Sequence, residues 1–114
     1  MAADAAAEVT QAVLHANYAA TASEIKEVHD HLHHVINCLV GPKGSGFDAN
    51  SMNPCERMGN GAIPDSVDAA KKKILAEVVE HANAGLGSDN LILAKDAAHT
   101  VELMLIDAIP SPGM

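Results

Sequence analysis

Between Ile25 and Leu39 the chain repeats apolar residues at intervals of three and four: Ile25, Val28, Leu32, Val35, Ile36 and Leu39. That spacing gathers all six along one side of an α-helix and leaves the other side polar. A strand would scatter them over both faces, so the stretch dictates a helix with a stripe that other elements must cover. Gly41-Pro42 follows, the Gly as a C-terminal cap and the Pro as a stop. The same segment, Glu27 to Cys38, holds His29, His31, His33 and His34, four of the chain's seven histidines, and one of its two cysteines.

Three further stretches carry the helical period. Residues 4–20 are rich in Ala, with Val9, Val13, Ala16 and Ala20 on one side. Thr21, with Glu24 three residues later, forms a capping box that opens the second helix, 22–40. A third helix is predicted over 65–85, after Pro64, with Asp65 or Ser66 as N-cap and Asp68 in its first turn. Its buried side reads Val67, Ile74 and Val78, joined by Leu75 and Val79, and Gly85 or Gly87 ends it. Ser88 caps a fourth helix over 88–109, closed by Pro110, with the stripe Leu91, Ala94, Ala98, Val101, Leu105 and Ala108.

Four amphipathic helices of similar length, with two short connections and one long one, predict an all-α, antiparallel four-helix bundle in one domain spanning residues 1–114. Abundant small residues permit close helix approach, and Phe47 and Tyr18 are the only aromatic residues, which argues against a β-sandwich. Leu14, Tyr18, Ile92, Leu103 and Ile106 fall off the main stripes and leave apolar surface for a partner such as a second copy.

The connection 41–64 is long, and it holds five of the eight glycines. Segments of that length inside a domain are tied down or functional. Cys38 at the end of the second helix and Cys55 within the connection supply a tie. A bridge between them would contribute on the order of 3 kcal/mol in the chain-entropy model and belongs to an oxidising compartment. The start, Met1-Ala2-Ala3-Asp4, reads as an export-processed N-terminus with a Met restored, so the expected location is periplasmic or secreted. No apolar run reaches the roughly 18 residues of a membrane span. The net charge of −8 disfavours nucleic acid and anionic membranes as partners.

In an up-down-up-down bundle, His15 near the end of the first helix, His29 near the start of the second and His81 near the end of the third share one end, away from the long connection. His33 follows His29 by one turn, a spacing at which two imidazoles can hold one ion. The expected metal ligands are therefore His29, His33, His81 and His15, with His34 facing solvent. Imidazoles suit copper, zinc or nickel; Glu27, Asp30 and Glu77 could complete the shell, and Met52 and Met58 could serve copper(I). The function this predicts is binding, delivery or storage of a transition metal. An alternative is a non-covalent haem b protein for electron transfer or haem carriage, with His29 and His81 as axial ligands. A further alternative is a metal-free interaction module that responds to pH through clustered histidines. Catalysis is not expected, because the chain carries no HExxH, CxxC, Glu-x-x-His or nucleophile elbow.

Overall fold

The computed structural model describes residues 4–109. The apolar stripe from Ile25 to Leu39 forms α2 (Ile25–Val40), with Val28, Leu32, Val35, Ile36 and Leu39 buried and Ile25 packed at the edge of the core. The other helices are α1 (Ala5–Thr21), α3 (Ala62–Asp65), α4 (Ala69–Leu86) and α5 (Leu91–Ala108), and no strand occurs among the described residues. α1 packs against α2 and α5, α4 packs against the same two, and the short α3 touches α1, α2 and α4. The result is an all-helical bundle. No described helix is long and apolar enough to cross a membrane.

Small side chains set the distances between these helices. Ala12, Ala16 and Ala19 of α1, Ala82 of α4, and Ala94 and Ala98 of α5 are wholly buried. Gly85 lies inside α4 rather than at its end: a Cβ there would stand 2.7 Å from Leu32 Cδ1 and 3.2 Å from the Ala97 methyl. Gly87 is the actual C-cap. Leu14, Tyr18, Ile92, Leu103 and Ile106 are exposed, as their off-stripe positions predict.

Several helix starts differ from the sequence reading, each because a side chain satisfies a different backbone group. Thr21 does not cap α2; it ends α1, where its hydroxyl donates to the Asn17 carbonyl at 2.8 Å. α2 consequently begins three residues later than expected for a capping box, at Ile25. Ser66 turns its hydroxyl back to the Ala62 carbonyl at 2.7 Å, leaving Asp68 to cap α4 through the Ala70 N–H at 2.9 Å. Pro64 lies within α3, in a first turn where its missing N–H has no consequence. Val67, expected on a buried face, belongs to the link between α3 and α4 and is fully exposed; Ile74 is also exposed. Asn90, not Ser88, caps α5. The predicted stop at Pro110 and the start at Met1–Ala3 lie outside the described residues.

The connection between α2 and α3 is ordered by ties to the bundle. Cys38 and Cys55 form a disulfide whose Cα atoms are 5.0 Å apart. Next to it, the wholly buried Asn37 offers its amide to the connection: Nδ2 donates to the carbonyls of Asp48 at 3.0 Å and Met52 at 3.1 Å, and more weakly to Ser51 at 3.3 Å. Its Oδ1 accepts from the Asp48 N–H at 2.8 Å. Phe47 and Met58 pack onto the core from the same segment. The two ends of the connection meet at Gly41 and Gly61, both with positive φ, and a Cβ on Gly41 would collide with the Asn60 carbonyl.

α1 grips the far end of that connection. Met58 accepts from the Asp4 N–H at 3.1 Å, and the wholly buried Glu8 accepts from the Gly61 N–H through Oε2 at 2.9 Å. Its other oxygen, Oε1, is buried without a partner. Burial first, and then the neighbouring Asp65 carboxyl, push the Glu8 pKa from an ordinary 4.5 up to about 7, against the pull of the Gly61 N–H. A carboxyl raised in the folded state contributes stability that is full below its unfolded pKa and is lost as pH rises through its folded one.

Two outcomes follow from these ties. Asn37→Ala strips hydrogen bonds from several buried loop groups and is expected to cost about 2–4 kcal/mol in denaturant unfolding. Glu8→Gln, which keeps the acceptor for Gly61 and cannot ionise, should gain in melting temperature relative to wild type as pH rises from about 5 to about 8. A gap between the two melting curves that stays constant over that range would contradict the assignment.

Candidate metal centre

α1 and α2 are joined by three residues, Ala22 to Glu24, so the end of one helix faces the start of the other. His15 lies six residues before the last residue of α1 and His31 six residues after the first residue of α2, which brings them to one depth. His34 follows His31 by roughly one turn on the same side of α2. The three rings converge: centroids are 5.5 Å apart for His15–His31, and 5.2 Å for both His15–His34 and His31–His34. One ring nitrogen from each lies within 4.8 Å of the other two, the only such group of metal-ligating side chains among the described residues.

The closest pair is His15 Nδ1 and His31 Nδ1, at 3.3 Å. Two nitrogens bound to a tetrahedral ion at bond lengths of about 2.0–2.1 Å stand about 3.3–3.4 Å apart. The pair is therefore already at the spacing of two ligands, and the third nitrogen lies within 4.8 Å of both. His34 Nδ1 is buried with no hydrogen-bond partner. Tyr18, one turn beyond His15, walls the group on one side, with its ring 5.3 Å from His15 and 5.2 Å from His31.

Burial keeps His15 and His34 in the form a metal requires. His15 is 6 % exposed, and desolvation, followed by the charges of His34 and His31, pushes its pKa down from 6.5 to about 4. His34, half-buried, is also lowered, by burial and then by His31, with Asp30 opposing. Neutral rings at physiological pH are acceptors for a cation, so no proton has to be displaced from His15 or His34 before binding.

The other histidines lie outside this group, three of them with partners of their own. His29 Nε2 donates to the Ser88 carbonyl at 2.8 Å and so pins the start of α2 to the turn between α4 and α5. His33 Nδ1 stands 3.4 Å from Asp48 Oδ2, which brings the long connection alongside α2 instead of leaving it at one end. His81 is exposed on α4, and His99 Nδ1 is 3.7 Å from Glu102 Oε1 on the exposed side of α5. Of the four expected ligands, His15, His29, His33 and His81, the structure brings only His15 into the three-ring group. His34, expected to face solvent, is half-buried, because α1 packs across that flank of α2. His31, a member of the α2 histidine cluster but not among the expected ligands, completes the group. The signal for it was the short α1–α2 turn, which equalises the depths of His15 and His31. Of the two methionines considered as thioether ligands, Met58 packs on the core and Met52 is exposed.

Comparison of the chain with protein-family models, with curated proteins and with solved structures finds no match to any of them.

Proposed function

We propose that the protein binds a divalent transition-metal ion through His15, His31 and His34. The observation that carries this reading is the convergence of three ring nitrogens within 4.8 Å of one another. An all-imidazole donor set suits zinc, copper or nickel and offers none of the oxygen ligands that calcium or magnesium requires. Three protein ligands leave a further position open, as in sites that exchange a ligand. Binding, delivery or storage of the ion is the role such a site supports best.

The cysteine pairing fits an oxidising compartment, so we place the protein in the periplasm or outside the cell. We also read the four long helices as an up-down-up-down set, the topology in which α1 and α2 present matching flanks to one ion.

Calorimetric titration of untagged protein with zinc, and separately with copper(II), tests the site. His31→Ala/His34→Ala is expected to lose more than about 100-fold in affinity, beyond the 10–100-fold that outer-shell partners cost. His29→Ala/His33→Ala should bind like the wild type. Unchanged affinity in the first variant would overturn the proposal. So would stoichiometric haem uptake abolished by His29→Ala or His81→Ala, which would point to haem ligation at those residues instead.

A further inference from the structure

Two carboxyls hold two consecutive backbone amides where the long connection returns to the bundle. Asp65 of α3 accepts from the Asn60 N–H through Oδ2 at 2.8 Å, and Glu8 of α1 accepts from the Gly61 N–H through Oε2 at 2.9 Å. Glu8 is wholly buried, and its Oε1 has no partner although the Asp65 carboxyl lies beside it. Ionised, Glu8 would set a bare buried oxygen against a second acid, which is costly. Neutral, it has a hydroxyl to give, and the Asp65 carboxylate can only accept. The charges that act on Glu8 are Asp65 on α3 and Asp4 at the start of its own helix, and both oppose ionisation. The connection brings the Gly61 N–H, which favours the ionised form, and neither α2 nor α5 adds a charge among the described residues.

The chain around this contact is fixed at two points. Cys55 is bridged to Cys38 at one end, and Asp68 caps α4 at the other. Between them only Gly61, Ala62 and Ser66 are buried, so little apolar surface anchors residues 56–67. The hydrogen bonds from this segment to α1 and its cap are the Asp4 N–H to the Met58 carbonyl, at 3.1 Å, and the Gly61 N–H to Glu8. We propose that Glu8 and Asp65 form a proton-operated latch for this segment. With a proton on Glu8, Oε1 donates to Asp65 and α3 stays docked on α1. When that proton passes to solvent, the two carboxylates repel and residues 56–67 lift from α1 between their fixed ends. Neither acid belongs to the histidine group, so the latch does not depend on a metal.

The range of response follows from linkage. A carboxyl at an ordinary 4.5 when released and about 7 when docked leaves the latch fully closed below the first value. Closure then weakens by up to tenfold per pH unit and levels off near the second. Native-state hydrogen exchange of the full chain, followed by NMR in the presence of a chelator and corrected for the chemical exchange rate at each pH, reads this directly. Protection of the Gly61 N–H should fall roughly 10–100-fold between about pH 5 and about pH 7 and change little above. The amides of Leu32 and Ile36, in the core of α2, should not follow it. Glu8→Gln, which keeps an acceptor for Gly61 and a donor for Asp65, should hold Gly61 protected throughout. Asp65→Asn removes the opposing charge, so its fall should be smaller and end at a lower pH. His33→Gln removes another ionisable tie of the connection, to Asp48, and should leave the Gly61 profile unchanged.

A Gly61 protection that does not change with pH in the wild type would overturn the proposal, and so would a fall that persists in Glu8→Gln. A fall shared equally by Leu32 and Ile36 would also overturn it, because the whole bundle and not the segment would then be opening. An Asp65→Asn profile lowered by the same factor at every pH would mean that Asp65 only braces Asn60 and takes no part in holding the proton, which the latch requires.

Discussion

The amide of Asn37 is the contact on which the irregular half of this structure depends. A connection without helix or strand has no internal ladder for its N–H and C=O groups, and those turned inward must find partners or pay desolvation. Asn37 supplies both kinds of partner at one point, donating to the Asp48, Ser51 and Met52 carbonyls and accepting from the Asp48 N–H. It does so from the wholly buried last turn of α2, one residue before the cysteine that carries the covalent tie. Phe47 can then pack on the core, Asp48 can reach His33, and α3 can dock against α1 and α2. The hydrogen bonds and the disulfide address different costs, the first desolvation of polar backbone and the second the freedom of the unfolded chain.

Much of this was legible in the sequence. Apolar stripes at helical spacing located α2 and α5 and their buried residues, because a stripe with no cover is unstable in water whatever surrounds it. The pairing of Cys38 with Cys55 followed from their being the chain's two cysteines, and the ordering of residues 41–64 from the length of the segment and that tie. Helix starts were less legible. Thr21 and Ser66 have side chains that cap a helix or bond backward into the preceding turn at similar cost, and the choice belongs to the surrounding packing. Val67 was misread for the same reason: its place on a helical wheel was irrelevant once Asp68 became the cap.

The histidine group was illegible for a different reason. A helical wheel ranks positions by angle from a helix's own stripe, and His31 and His34 lie on the flank of α2. Whether a flank is exposed depends on how closely the neighbouring helix approaches. Here Ala12, Ala16 and Ala19 let α1 come in close, so the flank of α2 beside it becomes an enclosed edge with room for imidazoles. The scarcity of aromatic residues, which spoke only to fold class in the sequence, is the condition that makes such an edge. Larger side chains at those alanine positions would have held His15 away from α2.

The meeting of Gly41 with the backbone of Asn60 and Gly61 has its own consequence for how this chain can vary. A connection whose two ends touch begins and finishes at nearly the same place, so its contour is independent of the spacing between the helices it joins. Lengthening such a closed excursion costs only a slowly growing entropy. At the exposed Ser45, residues could be added or exchanged without moving Val40 or Ala62, and therefore without altering the register between α1 and α2. The two halves of the molecule are in this sense separable: a histidine edge fixed by small residues, and an appended surface free to diverge in length and composition.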